Sequence, residues 1–428
     1  MKTLSLGAAG PQVQLLQLAL QRAGYAPGVS DGVFGADTRR ALLRFQRSAG
    51  LSADGVAGPL THRALNPWYT GYVPYTLRRG DSFYRLARRY GSTVQAISAA
   101  NPDLDPLRLP VGAVVNVPLP FDVVPTGIDW CSELLRFCCE GLAARYPALK
   151  SDALGESVMG RPLWLLALGR GERGALFNAA HHANEWITTP VLMKFAEQLA
   201  RADANNSDIF GKPARELLAK AWIALVPCVN PDGMDLVTGD LASGPYFSAA
   251  RAIAADYSGI AFPSGWKANI RGTDLNLQYP AGWENAREIK FAQGFISPAP
   301  RDYVGVAPLS APESLALYRF TLSYAPVLTL SYHTQGSVIY WRYLDYEPVG
   351  AAALARVFSG VSSYAVADTP YASGFAGYKD WFIQNYDRPG YTIEAGLGDN
   401  PLPIGQCDRI YGENLGILTL ALDAAGAP

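Results

Sequence analysis

A short pattern occurs twice near the start of the chain and constrains how this part can fold. Residues 31–38 read DGVFGADT and residues 54–61 read DGVAGPLT, so both follow Asp-Gly-Val-x-Gly-x-x-Thr. Each copy predicts a turn, because its glycines can take positive φ, and its Thr is suited to cap a following helix. Apolar residues recur at helical spacing from Val13 to Ala23 and from Thr38 to Ala49. A small three-helix bundle is therefore predicted over residues 4–66.

The length of the chain and its balanced charge limit what kind of protein it can be. It has 428 residues, whereas single cores stop growing near roughly 250 to 300 residues, so we expect several domains. Lys and Arg number 36 against 37 Asp and Glu, which indicates neither a nucleic-acid partner nor an anionic membrane surface. No apolar run approaches the roughly 18 residues that a membrane-spanning helix needs.

The first 25 residues, MKTLSLGAAGPQVQLLQLALQRAGY, contain glutamines that interrupt the apolar run required in a signal peptide. No signal peptide is evident, and this stretch is interpreted as the first helix of a domain. The five cysteines, an odd number without Cys-x-x-Cys spacing, are Cys131, Cys138, Cys139, Cys228 and Cys407. They favour reduced core residues over a disulfide framework or a thiolate metal site.

A second small domain is predicted after the bundle. Residues 66–74, NPWYTGYVP, are rich in turn formers and should be a linker. From Tyr75 to Pro118 the pattern predicts a strand, a helix after Gly80-Asp81-Ser82, a second helix over Thr93 to Ala100 and a closing strand over Ala113 to Val117. The order of these elements is β-α-α-β.

Both N-terminal segments resemble known wall-binding families. The first resembles peptidoglycan-binding domains with a three-helix fold, in which the DG-x-FG-x-x-T pattern precedes a helix with a Phe-Gln pair, here Phe45-Gln46. The second resembles a LysM domain at its Gly-Asp-Ser turn, its Arg-Tyr-Gly-Ser sequence, its Asn101-Pro102 stop and its closing VVNVP. These resemblances imply that the chain binds peptidoglycan, with N-acetylglucosamine chains in a groove beside the first LysM helix.

The remaining 300 or so residues alternate apolar runs with helical patterns. Strands are predicted at Leu163 to Leu168, Leu176 to Ala180, Trp222 to Cys228, Val327 to Tyr332, Ser337 to Trp341 and Tyr391 to Ile393, and helices at Thr188 to Ala200, Pro312 to Leu322 and Gly350 to Tyr364. This alternation is typical of an α/β domain with a largely buried sheet. Chemistry in such domains collects beyond the carboxyl ends of the strands.

The stretch NAAHHANEW, residues 178–186, holds two of the four histidines in the chain. It follows a predicted strand, so a tight turn can bring His182 and Glu185 to one point, and zinc accepts an imidazole nitrogen together with a carboxylate. His181 with Glu185 is the alternative, but an i, i+4 pair meets only on a helix. Since a chain leaving a strand is not yet helical, His182 is favoured.

A catalytic zinc also needs a third protein ligand and an open position for water. The remaining histidines are His62 and His333. His62 lies in the first wall-binding segment, whereas His333 follows PVLTLSY at the predicted end of another buried strand. The sequence therefore predicts a zinc site with two histidines and a glutamate, completed by His333.

A longer series of motifs resembles the zinc carboxypeptidase family. HHANEW, VPCVNPDG, GTDLN, SYHTQG and YTIEAG occur in this order, and WKANIRG, APRDYVG and GYKDWFI resemble its γ-D-glutamyl-L-diamino acid endopeptidase branch. The resemblance covers roughly residues 121–425 and implies an α/β domain with a mixed sheet flanked by helices. It implies one zinc ion bound by His182, Glu185 and His333, with Glu394 as the general base.

The motifs also suggest which residues contact substrate. Lys267 stands where the family usually carries the Arg that polarises the scissile carbonyl, and Arg271 is assigned to substrate binding because a guanidinium suits a carboxylate. Which of these two cations stabilises the oxyanion stays open. Asn276 matches the family residue that contacts a terminal carboxylate, but the next position is Leu277, where many carboxypeptidases have Arg. The loss of that clamp weakens the case for a general carboxypeptidase.

Three further residues complete the predicted substrate site. Arg301 and Lys379 are candidates to bind the extra charged groups of meso-diaminopimelate, although either can pair with the Asp that follows it. Tyr371 resembles the mobile family tyrosine that closes over substrate, but its spacing to Asp380 is one residue longer than in carboxypeptidases.

We therefore predict three domains, at residues 1–67, 74–119 and 120–428, in a peptidoglycan hydrolase. Its zinc peptidase would cleave the γ-D-glutamyl to meso-diaminopimelate bond of stem peptides. The alternatives are a general zinc carboxypeptidase of protein substrates and an inactive wall-binding protein. The predicted location is the cell wall, extracellular or spore-associated, while the lack of an evident signal peptide leaves a cytoplasmic or mother-cell location open. Endopeptidase or carboxypeptidase action is also open.

Overall fold

The computed structural model describes residues 1–427, and its contacts divide the chain into two compact units, Met1–Ser151 and a second that begins at Asp152. The first unit starts with the predicted three-helix bundle. Its helices are α1 (Pro11–Arg22), α2 (Ala36–Ser48) and α3 (Pro59–Thr70).

The repeated pattern forms the same buried hydrogen-bond network twice. In the first copy, Gln17 Nε2 of α1 donates to Asp31 Oδ1 at 2.9 Å and to Thr38 Oγ1 at 3.1 Å, while Gly32 N donates to Gln17 Oε1 at 3.0 Å. In the second copy, Gln46 of α2 makes the same three bonds to the turn at residues 54–61, at 2.9, 3.2 and 3.0 Å. A glutamine on one helix therefore fixes the turn that leads into the next.

The predicted capping role of the repeated threonines is wrong. Helix α2 has Gly35 as its N-cap and α3 has Gly58, and neither is capped by a side chain. Thr38 and Thr61 lie inside the first turns of these helices. Their hydroxyls bind the buried glutamines instead, because an otherwise unsatisfied buried amide costs more than an uncapped helix end exposed to water.

The predicted linker over residues 66–74 is also wrong. Helix α3 continues to Thr70, Gly71 takes a left-handed conformation, and strand β1 (Tyr72–Thr76) begins at the next residue. Tyr69 and Thr70 are fully buried. Their burial against the rest of the first unit keeps this stretch helical despite its turn-forming composition, since tertiary packing overrides local propensity.

The β-α-α-β domain forms as predicted. Its elements are β1, α4 (Phe83–Tyr90), α5 (Val94–Ala100) and β2 (Val114–Pro118), and β1 pairs with β2 antiparallel. Ser82 and Thr93 cap the two helices by accepting the backbone N–H groups of Arg85 and Ala96. The apolar side chains of both helices and both strands meet in one small core.

Helix α6 (Ser132–Arg145) belongs to the first unit by its contacts. The ring of Phe137 stacks on Tyr69 of α3 at 4.7 Å, and Asn116 Nδ2 of β2 donates to the Ala144 carbonyl at 3.2 Å. A side-chain carbon at Gly141 would collide with the carbonyl oxygen of Thr70, so a glycine is needed where α6 crosses the end of α3. The predicted domain boundary lies at residues 119 and 120, whereas the contacts divide the chain between Ser151 and Asp152. The two boundaries therefore differ by about one helix.

The second unit is built on a mixed eight-stranded sheet. Its strands, in spatial order, are β11 (Ala365–Ala367), β10 (Val338–Tyr340), β12 (Gly390–Glu394), β9 (Leu328–His333), β5 (Arg173–Ala179), β8 (Ala221–Val226), β4 (Pro162–Gly169) and β3 (Lys150–Glu156). The four central strands, β12, β9, β5 and β8, are parallel to one another. Strand β10 pairs antiparallel with β12, and β4 pairs antiparallel with β8. A short ribbon, β6 (Asp208–Ile209) and β7 (Lys212–Pro213), lies outside the sheet.

Helices cover both faces of this sheet. They are α7 (Thr188–Asn205), α8 (Ala214–Lys220), α9 (Pro231–Val237), α10 (Pro245–Ala255), α11 (Trp283–Ala292), α12 (Pro312–Tyr324), α13 (Ala351–Ser362), α14 (Tyr378–Tyr386) and α15 (Cys407–Ala425). Leu176 of β5 packs into a cluster with α11, α12 and α14, while Phe177 contacts Phe195 of α7. Successive residues of β5 thus face opposite helical layers, which is why its central residues, Ala175 to Phe177, are all apolar.

The predicted strands and helices of this unit are all present, and the sheet has two further strands, β3 and β11. Strand β3 was missed because its sequence, KSDALGE, is polar and it is mostly exposed at the sheet edge. All five cysteines are buried and unpaired by disulfides, as predicted. In the part of the chain that the structure describes, no helix is long and apolar enough to span a membrane.

Candidate metal centre and substrate cleft

The paired histidines lie where β5 ends and the chain turns toward α7. Ala180 takes a left-handed conformation directly after β5, and Ala183–Glu185 form one turn of 3₁₀ helix. This turn brings His182 and Glu185 together, with His182 Nδ1 3.0 Å from Glu185 Oε1. The predicted pair therefore converges, through a 3₁₀ turn that precedes α7.

His333 completes the cluster from the neighbouring strand. It is the last residue of β9, which runs parallel to β5. Its Nδ1 lies 2.9 Å from Glu185 Oε2 and 3.1 Å from His182 Nδ1. The potential ligand atoms of all three residues lie within 4.8 Å of one another.

The donor set of this cluster fits a divalent metal ion. Two imidazole Nδ1 atoms and a carboxylate are directed at one point, and all three residues are buried. Burial lowers the pKa of His182, but the carboxylates of Glu185 and Asp274 outweigh this effect and raise it to about 9. Burial lowers the pKa of His333. Two imidazole nitrogens and a carboxylate that lie this close together match the ligand set of a zinc site. Zinc binding there would displace the protons that these ligands carry.

Asp274 holds the other side of the His182 ring. Its Oδ1 lies 3.2 Å from His182 Nε2, and its Oδ2 accepts the backbone N–H of Asp302 at 3.2 Å. A carboxylate in this place fixes the tautomer and orientation of a ligand histidine. Asp274 was not among the residues predicted from the sequence, although it lies in the same GTDLN motif as Asn276.

His181 has a different environment from His182. Its Nε2 lies 3.0 Å from the hydroxyl of Tyr279, and its ring stacks on His333 with centroids 5.7 Å apart. It is fully buried and does not belong to the cluster of potential ligands. His62 is in the first unit, where it binds Tyr69.

Glu394 ends β12, the strand next to β9, and is paired in register with His333. It lines the same cleft as His182 and His333. Burial raises its pKa to about 8, and the charge of Glu185 acts in the same direction, while Lys267 and His182 oppose it. A carboxyl whose pKa lies near the operating pH suits a group that both accepts and returns a proton.

The cleft has a volume of about 330 Å³ and contains four of the six predicted substrate residues: Lys267, Asn276, Arg301 and Lys379. Lys267 Nζ lies 3.2 Å from Glu185 Oε1, and Asn276 Oδ1 accepts the backbone N–H of Tyr378 at 3.0 Å. Lys379 Nζ donates to the carbonyl of Arg342 at 2.6 Å and pairs with Asp380. Leu277 also lines the cleft.

The structure does not bring the other two predicted residues into this cleft. Arg271 is exposed and does not line it. Tyr371 is 70% exposed, its ring meets Phe375 edge-on at 5.1 Å, and it lines a smaller neighbouring pocket that shares Thr369 and Asp380 with the cleft. The substrate roles of all six residues, like those of Glu394 and the three ligands, stay predictions.

Comparisons with known proteins agree with this arrangement. The sequence model of the zinc carboxypeptidase family matches residues 136–415, and models of a peptidoglycan binding domain and a LysM domain match residues 9–65 and 75–118. Both predicted wall-binding resemblances are therefore confirmed.

Two related sequences and one solved structure define the likeness further. The γ-D-glutamyl-L-diamino acid endopeptidase 1 of Lysinibacillus sphaericus is 42% identical over 284 residues, which are 66% of this chain and 69% of that protein. The uncharacterized protein YqgT of Bacillus subtilis strain 168 is 40% identical over 282 residues, 65% of this chain and 73% of that protein. Bovine thrombin-activatable fibrinolysis inhibitor, in complex with tick carboxypeptidase inhibitor, gives a TM-score of 0.54 at 18% identity, covering 69% of this chain and 97% of that one.

The solved structure confirms the predicted carboxypeptidase-like fold of the second unit, and the matched family model covers the strands and turns that carry the whole cluster. The chain belongs to the zinc carboxypeptidase family.

Proposed function

We propose that this protein is a zinc-dependent peptidoglycan hydrolase that cleaves the γ-D-glutamyl to meso-diaminopimelate bond of stem peptides. The observation that carries the proposal is the cluster of His182, Glu185 and His333 beside Glu394 in one cleft, in a chain that also has two wall-binding modules. The similar protein of Lysinibacillus sphaericus is named for action on γ-D-glutamyl-diamino acid bonds.

The chain's own residues account for the main requirements of amide hydrolysis. His182, Glu185 and His333 would hold zinc, which lowers the pKa of a bound water and polarises a carbonyl oxygen. Glu394 accepts a proton from the attacking water, whose oxygen bonds to the acyl carbon. The amide C–N bond then breaks, and Glu394 returns the proton to the leaving amine. Lys267, at the edge of the cluster, stabilises the negative charge that develops on the carbonyl oxygen.

The cleft supports a charged substrate rather than an ordinary C-terminal peptide. Leu277 lines it at the position where many carboxypeptidases carry the Arg that clamps a terminal carboxylate. Lys379 and Arg301 line the cleft as well, and meso-diaminopimelate brings an additional carboxylate for such cations. A general carboxypeptidase is therefore the weaker candidate.

An inactive wall-binding protein is weaker still, because the chain retains each residue that the reaction requires. The two modules associate the chain with the cell wall. They raise the local concentration of stem peptides around the cleft, so the catalytic unit can work with weak intrinsic affinity.

We propose an extracellular or spore-associated site of action, which fractionation of cells and spores with an antibody against the chain would test.

The first experiment compares L-Ala-γ-D-Glu-meso-diaminopimelate with a standard C-terminal peptide, each with and without a chelator, and identifies products by mass. We expect chelator-sensitive release of meso-diaminopimelate from the first substrate and little release from the second. Release that a chelator does not affect would contradict the zinc mechanism. Cleavage of the standard peptide alone would support the general carboxypeptidase.

Glu394→Gln tests the general base directly. The amide cannot accept the water proton, so kcat should fall by about 10²- to 10⁴-fold, while the zinc content stays that of the wild type because Glu394 is not in the ligand cluster. Zinc content by atomic absorption and turnover are measured on the same sample. Turnover close to wild type would remove Glu394 from this role.

A further inference from the structure

The cationic side chains of the cleft fall into two groups by their contacts. Lys290 and Arg301 both pair with Asp302, and Lys267 contacts the metal cluster through Glu185. Lys379 lies apart from these, since its ammonium contacts the carbonyl of Arg342 and the carboxylate of Asp380. The Lys379 ammonium is therefore held by other partners than the remaining cations of the cleft.

Arg301, whose side chain is 44% exposed, pairs with Asp302. Asp302 Oδ2 accepts from Arg301 Nε, Asp302 Oδ1 lies 2.7 Å from the buried ammonium of Lys290, and the Asp302 N–H binds Asp274. Asp302 is thus anchored at three points. Only Nε of Arg301 is used within residues 1–427, which leaves both Nη groups for another partner.

Arg301 is connected to the metal cluster through two carboxylates. It pairs with Asp302, the Asp302 N–H binds Asp274 Oδ2, and Asp274 Oδ1 lies 3.2 Å from His182 Nε2. Zinc and Lys267 would bind the carbonyl oxygen of the acyl residue, so this connection favours the acyl residue as the partner of Arg301.

Lys379 lies next to the residue predicted to contact the leaving residue. Asn276 Oδ1 accepts the backbone N–H of Tyr378, which directly precedes Lys379. Asn276 matches the family residue that contacts a terminal carboxylate, so Lys379 is favoured as a cation for the leaving residue.

We propose that Arg301 is a specificity-determining residue that binds a free carboxylate on the acyl residue, and so selects γ-linked acidic residues before the scissile amide. This inference rests on the proposed function. In a γ-linked glutamyl residue the α-carboxylate remains free, whereas in an α-linked peptide the corresponding carboxyl is used in the chain. The two Nη groups form a planar fork that suits this carboxylate, and Lys379 is left for the carboxylate of the leaving residue.

The test compares two substrates that differ only at this carboxyl: L-Ala-γ-D-Glu-meso-diaminopimelate and the same tripeptide with the glutamyl α-carboxylate converted to an amide. We expect wild-type kcat/KM to fall about 10- to 100-fold on amidation, as for the loss of a charge-assisted hydrogen-bonded pair. Arg301→Gln should cleave both substrates at the rate that the wild type shows on the amide. Arg301→Lys, which keeps the charge but not the fork, should retain part of the preference.

Arg287→Gln is the matched control, because Arg287 is an exposed arginine of α11 that does not line the cleft. It should keep the full preference for the free carboxylate. Equal wild-type rates on the two substrates, or an Arg301→Gln variant that slows both by the same factor, would overturn the inference and leave the proposed function intact. No wild-type cleavage of either substrate would instead contradict the proposed function, and the inference with it.

Discussion

The two adjacent histidines have unequal roles because of what each ring contacts. His182 meets Glu185 and His333 on one side and Asp274 on the other, whereas His181 bonds to Tyr279 and stacks on His333. Spacing alone already favoured His182, since a turn after a strand brings residues i and i+3 together. The carboxylate behind it could not be predicted, because Asp274 is distant in sequence and reaches His182 only through the fold.

Because the two histidines have different contacts, substitutions around them should lower zinc affinity to different degrees. The affinity is measured by competition with a chromophoric chelator. His182→Ala removes a predicted ligand and should abolish stoichiometric zinc. Asp274→Asn leaves the ligands in place but weakens the orientation of the His182 ring, so zinc affinity should fall about 10- to 100-fold. His181→Ala should keep zinc at stoichiometry, with its fold checked by circular dichroism. Loss of zinc in His181→Ala with retention in His182→Ala would reverse the assignment.

Among the elements, the turns of the three-helix bundle are fixed by side chains from the preceding helices. Gln17 and Gln46 are both buried and make equivalent bonds to the two repeated turns. The sequence repeat predicted two turns of the same kind, but it could not show that glutamines on α1 and α2 fill them, because those glutamines lie outside the repeated pattern. The threonines serve these glutamines rather than the helix ends.

Gln46→Ala and Gln17→Ala should each destabilise the bundle by about 1–3 kcal/mol, because both leave the N–H of a turn glycine and other buried polar groups without a partner. The effects should be similar, since the two networks match. Hydrogen exchange of the amides in α1 to α3 of the full-length chain measures the change. Gln21→Ala is the control: Gln21 donates an exposed bond to Gly28, so it should change stability by less than about 0.5 kcal/mol. Equal effects of all three variants would contradict a structural role for the repeat.

For the whole molecule, the position of helix α6 decides where the chain divides. Sequence similarity to the zinc carboxypeptidase family begins at residue 136, inside α6, yet the buried face of α6 packs on α3 and β2 within the first unit. The predicted domain boundary at residues 119 and 120 would separate α6 from these partners. Most of α6 therefore matches the zinc carboxypeptidase family in sequence, although its packing partners lie in the first unit.

Two fragments test this division by thermal unfolding. A fragment of residues 1–151 keeps α6 and should unfold cooperatively. A fragment of residues 1–119 exposes Tyr69 and the end of α3, and should have a melting temperature lower by at least about 5 °C, as expected for the loss of one or more kcal/mol in a domain of this size. Equal melting temperatures would support the predicted boundary instead.

The order of the domains, the main strands of the α/β sheet and the cluster of His182, Glu185 and His333 could be predicted from the sequence alone. These depend on local periodicity, on turns and on the rule that parallel strands present their carboxyl ends at one edge. The sequence could not show that Asp274 holds His182, that Asp302 pairs with Arg301, that Arg271 lies outside the cleft or that α6 joins the first unit. Each of these depends on contacts between residues far apart in the chain, which only the packed fold brings within hydrogen-bonding or van der Waals distance.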